Sequence, residues 1–234
     1  MGEQCCNSCG SGTNPNSKVL VHHISIKEEL FCHFPYAVFS VALAMVLLSF
    51  VSYPRQEQES VVFYRLFHNF HYLHILFAAS GTLLMFKRYS DNFWGSLFVG
   101  FTIPTLFCTI SDAFLPFLGG KMLGLDMKLH WCFIKHLDAV LPFLFCGMIN
   151  GWVMSLHAHS KQMFYSLGFH FAHIFVSSLA SLFYLVSFGL NDWWKKMGLV
   201  FIYLVFAVLI PCILSDIVVP IFFARLKFRR NKGV

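Results

Sequence analysis

Charge is scarce in this chain. Asp, Glu, Lys and Arg make up 12% of its 234 residues, about half the share found in a soluble domain. That shortage excludes an ordinary water-soluble fold. Strict alternation of apolar and polar residues in segments of about 10 is also missing, which argues against a membrane β-barrel. There is no phosphate-binding glycine-rich loop, zinc-ribbon spacing, Gly-x-Ser-x-Gly nucleophile motif or nucleic-acid motif. Residues Met1 to Ser17 lack the apolar core of a secretory signal, so no cleavage is expected.

What the chain has instead is apolar sequence, 57% of the total. It falls into six runs of roughly 20 residues or more, the length needed to cross a bilayer as a helix. They read as Phe34 to Val51, Val61 to Phe86, Phe93 to Phe117, His136 to Leu156, Phe164 to Phe188 and Met197 to Phe223. Only helices or closed barrels satisfy their backbone in hydrocarbon, so the expected class is an all-α, multi-pass integral membrane protein. The connecting loops are too short for a soluble domain. With the N-terminus inside, the inner loops carry 10 Lys and Arg and the outer loops 7, which places both termini in the cytoplasm. The net charge of +6 then reflects a basic juxtamembrane tail facing anionic lipid.

The chain nearly repeats itself. His71-Tyr72-Leu73-His74-Ile75 is echoed by His170-Phe171-Ala172-His173-Ile174, 99 residues later. Cys108-Thr109-Ile110-Ser111-Asp112 and its downstream Pro116 are echoed by Cys212-Ile213-Leu214-Ser215-Asp216 and Pro220, 104 residues later. Fixed-order recurrence of polar residues in apolar sequence points to duplication. The reading divides the chain into a polar tail (1–27), two three-helix repeats (28–124 and 125–226) and a basic tail (227–234). Three crossings per repeat turn the second upside down, the plan of many secondary transporters. Cys32-His33 before Pro35, and Cys132 and His136 before Pro142, give a looser match between the first and fourth spans.

His71 and His74 share a helix face, and His68 extends that stripe by a turn. The second span starts at the depth where the third ends. His71, His74, Asp112, Ser111 and Cys108 are therefore expected at one depth, joined by His136. His170, His173, Asp216, Ser215 and Cys212 are expected at another, joined by His33. Ionisable groups within a bilayer cost about 2.5–3.5 kcal/mol each on insertion scales, and their default reading is functional. The bland alternative is hydrogen bonding between helices, worth about 0.6 kcal/mol on average. Imidazole with carboxylate suits zinc or another divalent transition metal. His71, His74, Asp112, His170, His173 and Asp216 are the candidate metal ligands. Ser111, Ser215, His33, His136, Cys108 and Cys212 are candidates for a proton or ion relay.

The leading expectation is a small secondary transporter or channel for a cation, with proton coupling, rather than an enzyme. Its partners are the bilayer and the cation, with no nucleic acid; a homodimer is an assembly to consider. Two alternatives are an intramembrane metal-dependent lipid hydrolase and a haem protein with two axial histidines from facing spans. Cys5, Cys6 and Cys9 with His22-His23 could pass soft metal or, with Met1-Gly2, carry an acyl chain, although position 6 is Cys and not Ser or Thr. His130, His157 and His159 read as loop residues. Trp94, Trp131, Trp152, Trp193 and Trp194 read as interface anchors, Pro104, Pro116, Pro142, Pro211 and Pro220 as helix kinks or breaks, and Gly119-Gly120 as the end of the third span.

Overall fold

A computed structural model describes residues 26–52, 59–132, 136–156, 159–190 and 193–224. The expectations for Cys5, Cys6, Cys9, His22-His23, His157 and the basic tail lie outside these residues. The described residues form six long helices and no strand. They are α1 (Ile26–Ser52), α2 (Glu59–Tyr89), α3 (Phe93–Met122), α4 (Leu137–Ser155), α5 (His159–Ser187) and α6 (Trp193–Ala224). Five are long and apolar enough to cross a membrane. The exception is α2, made less apolar by its histidines and end charges.

The polarity of the bundle is consistent with a protein in lipid. Phe50, Trp94, Phe98, Leu106, Ile149, Leu199, Ile202 and Phe222 are exposed, while His71, His74, Asp112, Ser177, Ser181 and Asp216 are buried. Apolar side chains face outward because hydrocarbon receives them, and ionisable groups turn to the interior.

Helices α2 and α5 pack together at the centre, with α4 and α3 against α2, α1 against α5, and α6 against α1 and α5. Gly147 and Gly151 allow α4 to lie on α2. A Cβ at Gly147 would collide with the Leu76 carbonyl oxygen, and one at Gly151 would stand 2.6 Å from the Ser80 carbonyl oxygen. Small residues four apart let two backbones approach this closely. The Ser80 hydroxyl uses the proximity to donate to the Gly147 carbonyl at 3.0 Å.

The chain alternates between two ends of the bundle. At one end Lys87, near the end of α2, lies 3.8 Å over the ring of Trp152, near the end of α4. Phe86 packs there with Ala224, the last residue of α6. At the other end Lys196 donates to the Leu123 carbonyl at 3.3 Å, and Tyr184 to the Lys128 carbonyl at 2.8 Å.

Several local expectations change. Helix α3 runs past Gly119-Gly120 to Met122 and stops where Gly124 adopts φ +82°; that left-handed conformation favours glycine. Gly119 and Gly120 instead lie under the Tyr203 ring and the Met127 side chain. Trp193 is buried in the core rather than anchored at the interface. Among the described residues no proline breaks a helix: Pro104, Pro142 and Pro211 lie within helical runs, and Pro116 and Pro220 follow a special turn described next.

Candidate metal and proton centre

Each repeated Ser-Asp phrase sits in a single π-helical turn, Ile110–Phe114 in α3 and Leu214–Val218 in α6. The Leu115 N–H bonds five residues back to Ile110, and the Val219 N–H bonds back to Leu214. The next donor in each series would be residue 116 or 220, and both are proline. Proline has no N–H, so the carbonyls of Ser111 and Ser215 lose their intrahelical donor. Another helix supplies one. Ser181 of α5 donates to the Ser111 carbonyl at 3.1 Å, and Thr82 of α2 donates to the Ser215 carbonyl at 3.1 Å. Thr82 and Ser181 are 99 positions apart, the spacing of the histidine phrases. The same bond thus recurs, with partners exchanged between the two parts of the chain. π-Turns concentrate at functional sites.

The turns aim their carboxylates at the histidines. Asp112 Oδ2 lies 2.9 Å from His71 Nδ1 and 2.7 Å from His74 Nδ1. Its Oδ1 accepts from Ser111 at 2.8 Å and Ser177 at 2.7 Å. Asp216 Oδ2 lies 2.6 Å from His173 Nδ1 and 4.0 Å from His170 Nδ1, and its buried Oδ1 has no partner. Asp112 therefore holds the Nδ1 edge of His71 and His74, and Asp216 that of His173, leaving Nε2 to face elsewhere.

The two groups are not separate. The rings of His74 and His173 stand 4.5 Å apart. Cys212 Sγ is 3.9 Å from His74 Nε2. Donor atoms of His74, His173 and Cys212, all buried, lie within 4.8 Å of one another. Zinc bonds of about 2.1 Å to nitrogen and 2.3 Å to sulfur place tetrahedral N and S ligands about 3.6 Å apart, so the triad is close to ligand spacing. A carboxylate behind each imidazole is the usual support for a histidine ligand, fixing its tautomer and raising its basicity. Asp112 and Asp216 stand behind the imidazoles rather than beside their free nitrogens. The 4.5 Å ring spacing also leaves no gap for a porphyrin between these two histidines, which removes that pair as axial haem ligands.

The remaining predicted residues extend the centre in two directions. His33 meets His170, with ring centroids 4.4 Å apart. His136 does not join Asp112. It lies instead with His68 and His130, at ring distances of 5.1 and 5.6 Å. Cys132 lies against His130, His68 and His71. Burial pushes the Cys132 thiol up, but the His130, His68 and His71 imidazoles beside it outweigh burial and bring it down to about 4. His71 Nε2 has no hydrogen-bond partner among the described residues, and Cys132 is a neighbouring group that interacts with its imidazole. Cys108 is buried but is not among the three converging donors; its counterpart Cys212 is.

A continuous file of ligating and titratable groups results. It runs from His68, His130 and His136 through Cys132, His71, Asp112, His74, His173, Asp216 and His170 to His33. Ser177, Ser181 and Thr82 were not singled out from the sequence, and Cys132 was read only as part of the match between the first and fourth spans. Extending the 99-residue offset two turns beyond the histidines would have exposed Thr82 and Ser181. No protein-family profile matches the chain, and no curated protein or solved structure matches it either.

Proposed function

We propose that this protein is a small secondary transporter that carries a divalent transition-metal cation, zinc being the ion its donors suit best, in exchange for protons. The observation that carries the reading is the buried meeting of His74, His173 and Cys212, each imidazole backed by a repeat-related aspartate. A soft, three-donor set with an open fourth position can hold such an ion and release it.

The donors also account for proton coupling. A metal and a proton compete for the same Nε2 lone pair, and a thiol must lose its proton to ligate. Loading the centre with metal therefore expels protons, and unloading it takes them back. The file of groups gives both species a route, with His33 and the His68–His130–His136 group at its ends.

The two repeats are read as inverted halves, three crossings each. The exchanged Thr82–Ser215 and Ser181–Ser111 bonds support that reading, because a pseudo-two-fold axis relates such pairs. Rocking of one half against the other would open the centre to alternate sides.

The test is zinc uptake into proteoliposomes with internal pH recorded. Wild type is expected to take up zinc with countermovement of protons. His74→Ala/His173→Ala should reduce uptake by at least on the order of 100-fold, the upper cost of losing merely a supporting partner of a ligand, because two of three ligands are gone. Uptake unchanged in that variant sinks the reading. Lipid hydrolysis without uptake in the same vesicles would favour the hydrolase alternative.

A further inference from the structure

We propose that His68, His130 and His136 form a second transition-metal site, at the end of the bundle where α3 passes to α4, with Cys132 as an adjoining sulfur donor. It is distinct from the His74–His173–Cys212 centre and stands on its own geometry.

Three histidines reach this point from two places in the sequence. His68 comes from the first half of α2, while His130 and His136 come from the segment joining α3 to α4. Their donor atoms all lie within 4.8 Å of one another. His68 Nδ1 lies 2.7 Å from the Tyr64 carbonyl. A carbonyl only accepts, so the ring proton is on Nδ1 and His68 Nε2 presents a lone pair. That lone pair points at His130 Nε2, 3.1 Å away. Two imidazole nitrogens so placed require a proton or a cation between them. Bonds of about 2.1 Å to a tetrahedral zinc separate two nitrogens by about 3.4 Å, so a shift of a few tenths of an ångström seats a metal.

The surroundings fit a ligand site rather than a solvated loop. His68 and His130 are buried, His136 is half-buried, and Cys132 is fully buried. The Tyr64 hydroxyl lies 3.3 Å from His130 Nδ1, a second-sphere contact of the kind that orients a ligating ring. Cys132 also borders His71, the first member of the file leading inward. A site reached through one half-buried member, His136, and joined to a buried one is suited to capture, the step that precedes entry.

Cobalt(II) binding to the full chain in nanodiscs tests this, because tetrahedral cobalt absorbs visibly and its thiolate bonds give a separate charge-transfer band. Wild type should bind two ions. His130→Ala/His136→Ala should bind one, and His74→Ala/His173→Ala should bind the other. His136→Cys keeps a donor, so it should retain both ions and strengthen the thiolate band; this guards against a double variant that merely fails to fold. Two ions in His130→Ala/His136→Ala, or no added thiolate band in His136→Cys, overturns the site. A single wild-type ion lost only in His74→Ala/His173→Ala also overturns it, and leaves the transport reading standing. A single ion lost only in His130→Ala/His136→Ala supports this site and removes the central one.

Discussion

Asp112 has both carboxylate oxygens occupied, whereas Asp216 has one left over. The difference traces to two hydroxyls: Ser111 donates to Asp112 Oδ1 at 2.8 Å, whereas its counterpart Ser215 lies beside Thr82 instead, and Ser177 has no hydroxyl counterpart. Ser177 of α5 donates to Asp112 Oδ1 at 2.7 Å. The residue 99 positions earlier is Ala78 of α2, which has no hydroxyl to offer Asp216. A buried acceptor left without a donor costs about 1–3 kcal/mol, and sites that must change state keep such groups. Ser177→Ala removes one of the two donors to Asp112 Oδ1, so it should lower the stability of the detergent-solubilised protein by about 0.5–1.5 kcal/mol, the net worth of one hydrogen bond, read as a drop in Tm. Ala78→Ser should restore the missing donor and leave Tm unchanged or higher. An Ala78→Ser loss as large as that of Ser177→Ala would mean the two aspartates do not share a geometry. The two aspartates thus differ in how firmly they are held: Asp112 is fixed by four hydrogen bonds, and Asp216 keeps one oxygen without a partner.

At the scale of elements, the site depends on two devices: the π-turns that aim the aspartates and the glycine contact that sets α2 against α4. The second is tested by comparing glycines. Gly147→Ala and Gly151→Ala drive a methyl into the α2 backbone, where overpacking costs about 1–3 kcal/mol or more. They should also weaken metal binding, since α2 carries His68, His71 and His74. Gly198→Ala in α6 meets nothing within 4 Å and should be neutral or slightly stabilising, by less than about 1 kcal/mol. Equal thermal shifts in all three variants would refute the close-packing account. The spans were legible because bilayer thickness imposes their length, and the histidines and aspartates because they are costly in lipid. The π-turns were not legible as such, although Ser-Asp followed by proline four residues after the aspartate was visible twice. Hydrogen-bond register depends on which donor is missing and on who replaces it, and the replacement comes from a distant helix. The convergence of His74 and His173 was likewise hidden. Depth along the membrane follows from position in a span, but lateral packing does not, so two sites were expected where one composite centre forms.

At the scale of the molecule, the inverted arrangement rests on where successive helix junctions lie. The ends of α2, α4 and α6 gather at one end of the bundle, joined by the Lys87–Trp152 contact and by Phe86 with Ala224. The end of α3, the end of α5 and the start of α6 gather at the other, joined by Lys196 with Leu123 and Tyr184 with Lys128. If the first group faces the cytoplasm, Lys87 is inside and Lys195 outside. Lys87 lies over Trp152, and Lys195 lies 5.1 Å over the ring of Trp194, the pairing of basic and aromatic residues expected at a membrane–water boundary. Charge bias alone sets this orientation weakly, since an inverted duplication leaves basic residues on both sides. Lys87→Cys and Lys195→Cys, each introduced into the full chain, should differ in labelling by a membrane-impermeant maleimide in intact cells. Lys195→Cys should gain label over the parent protein, and Lys87→Cys should gain it only after permeabilisation. Gain at both positions in intact cells would place the two junctions on one side, leaving α3, α4 and α5 with an even number of crossings between them. The halves would then be parallel, the exchanged hydroxyl bonds would lose their symmetry, and rocking of one half against the other could no longer expose the centre to each side in turn.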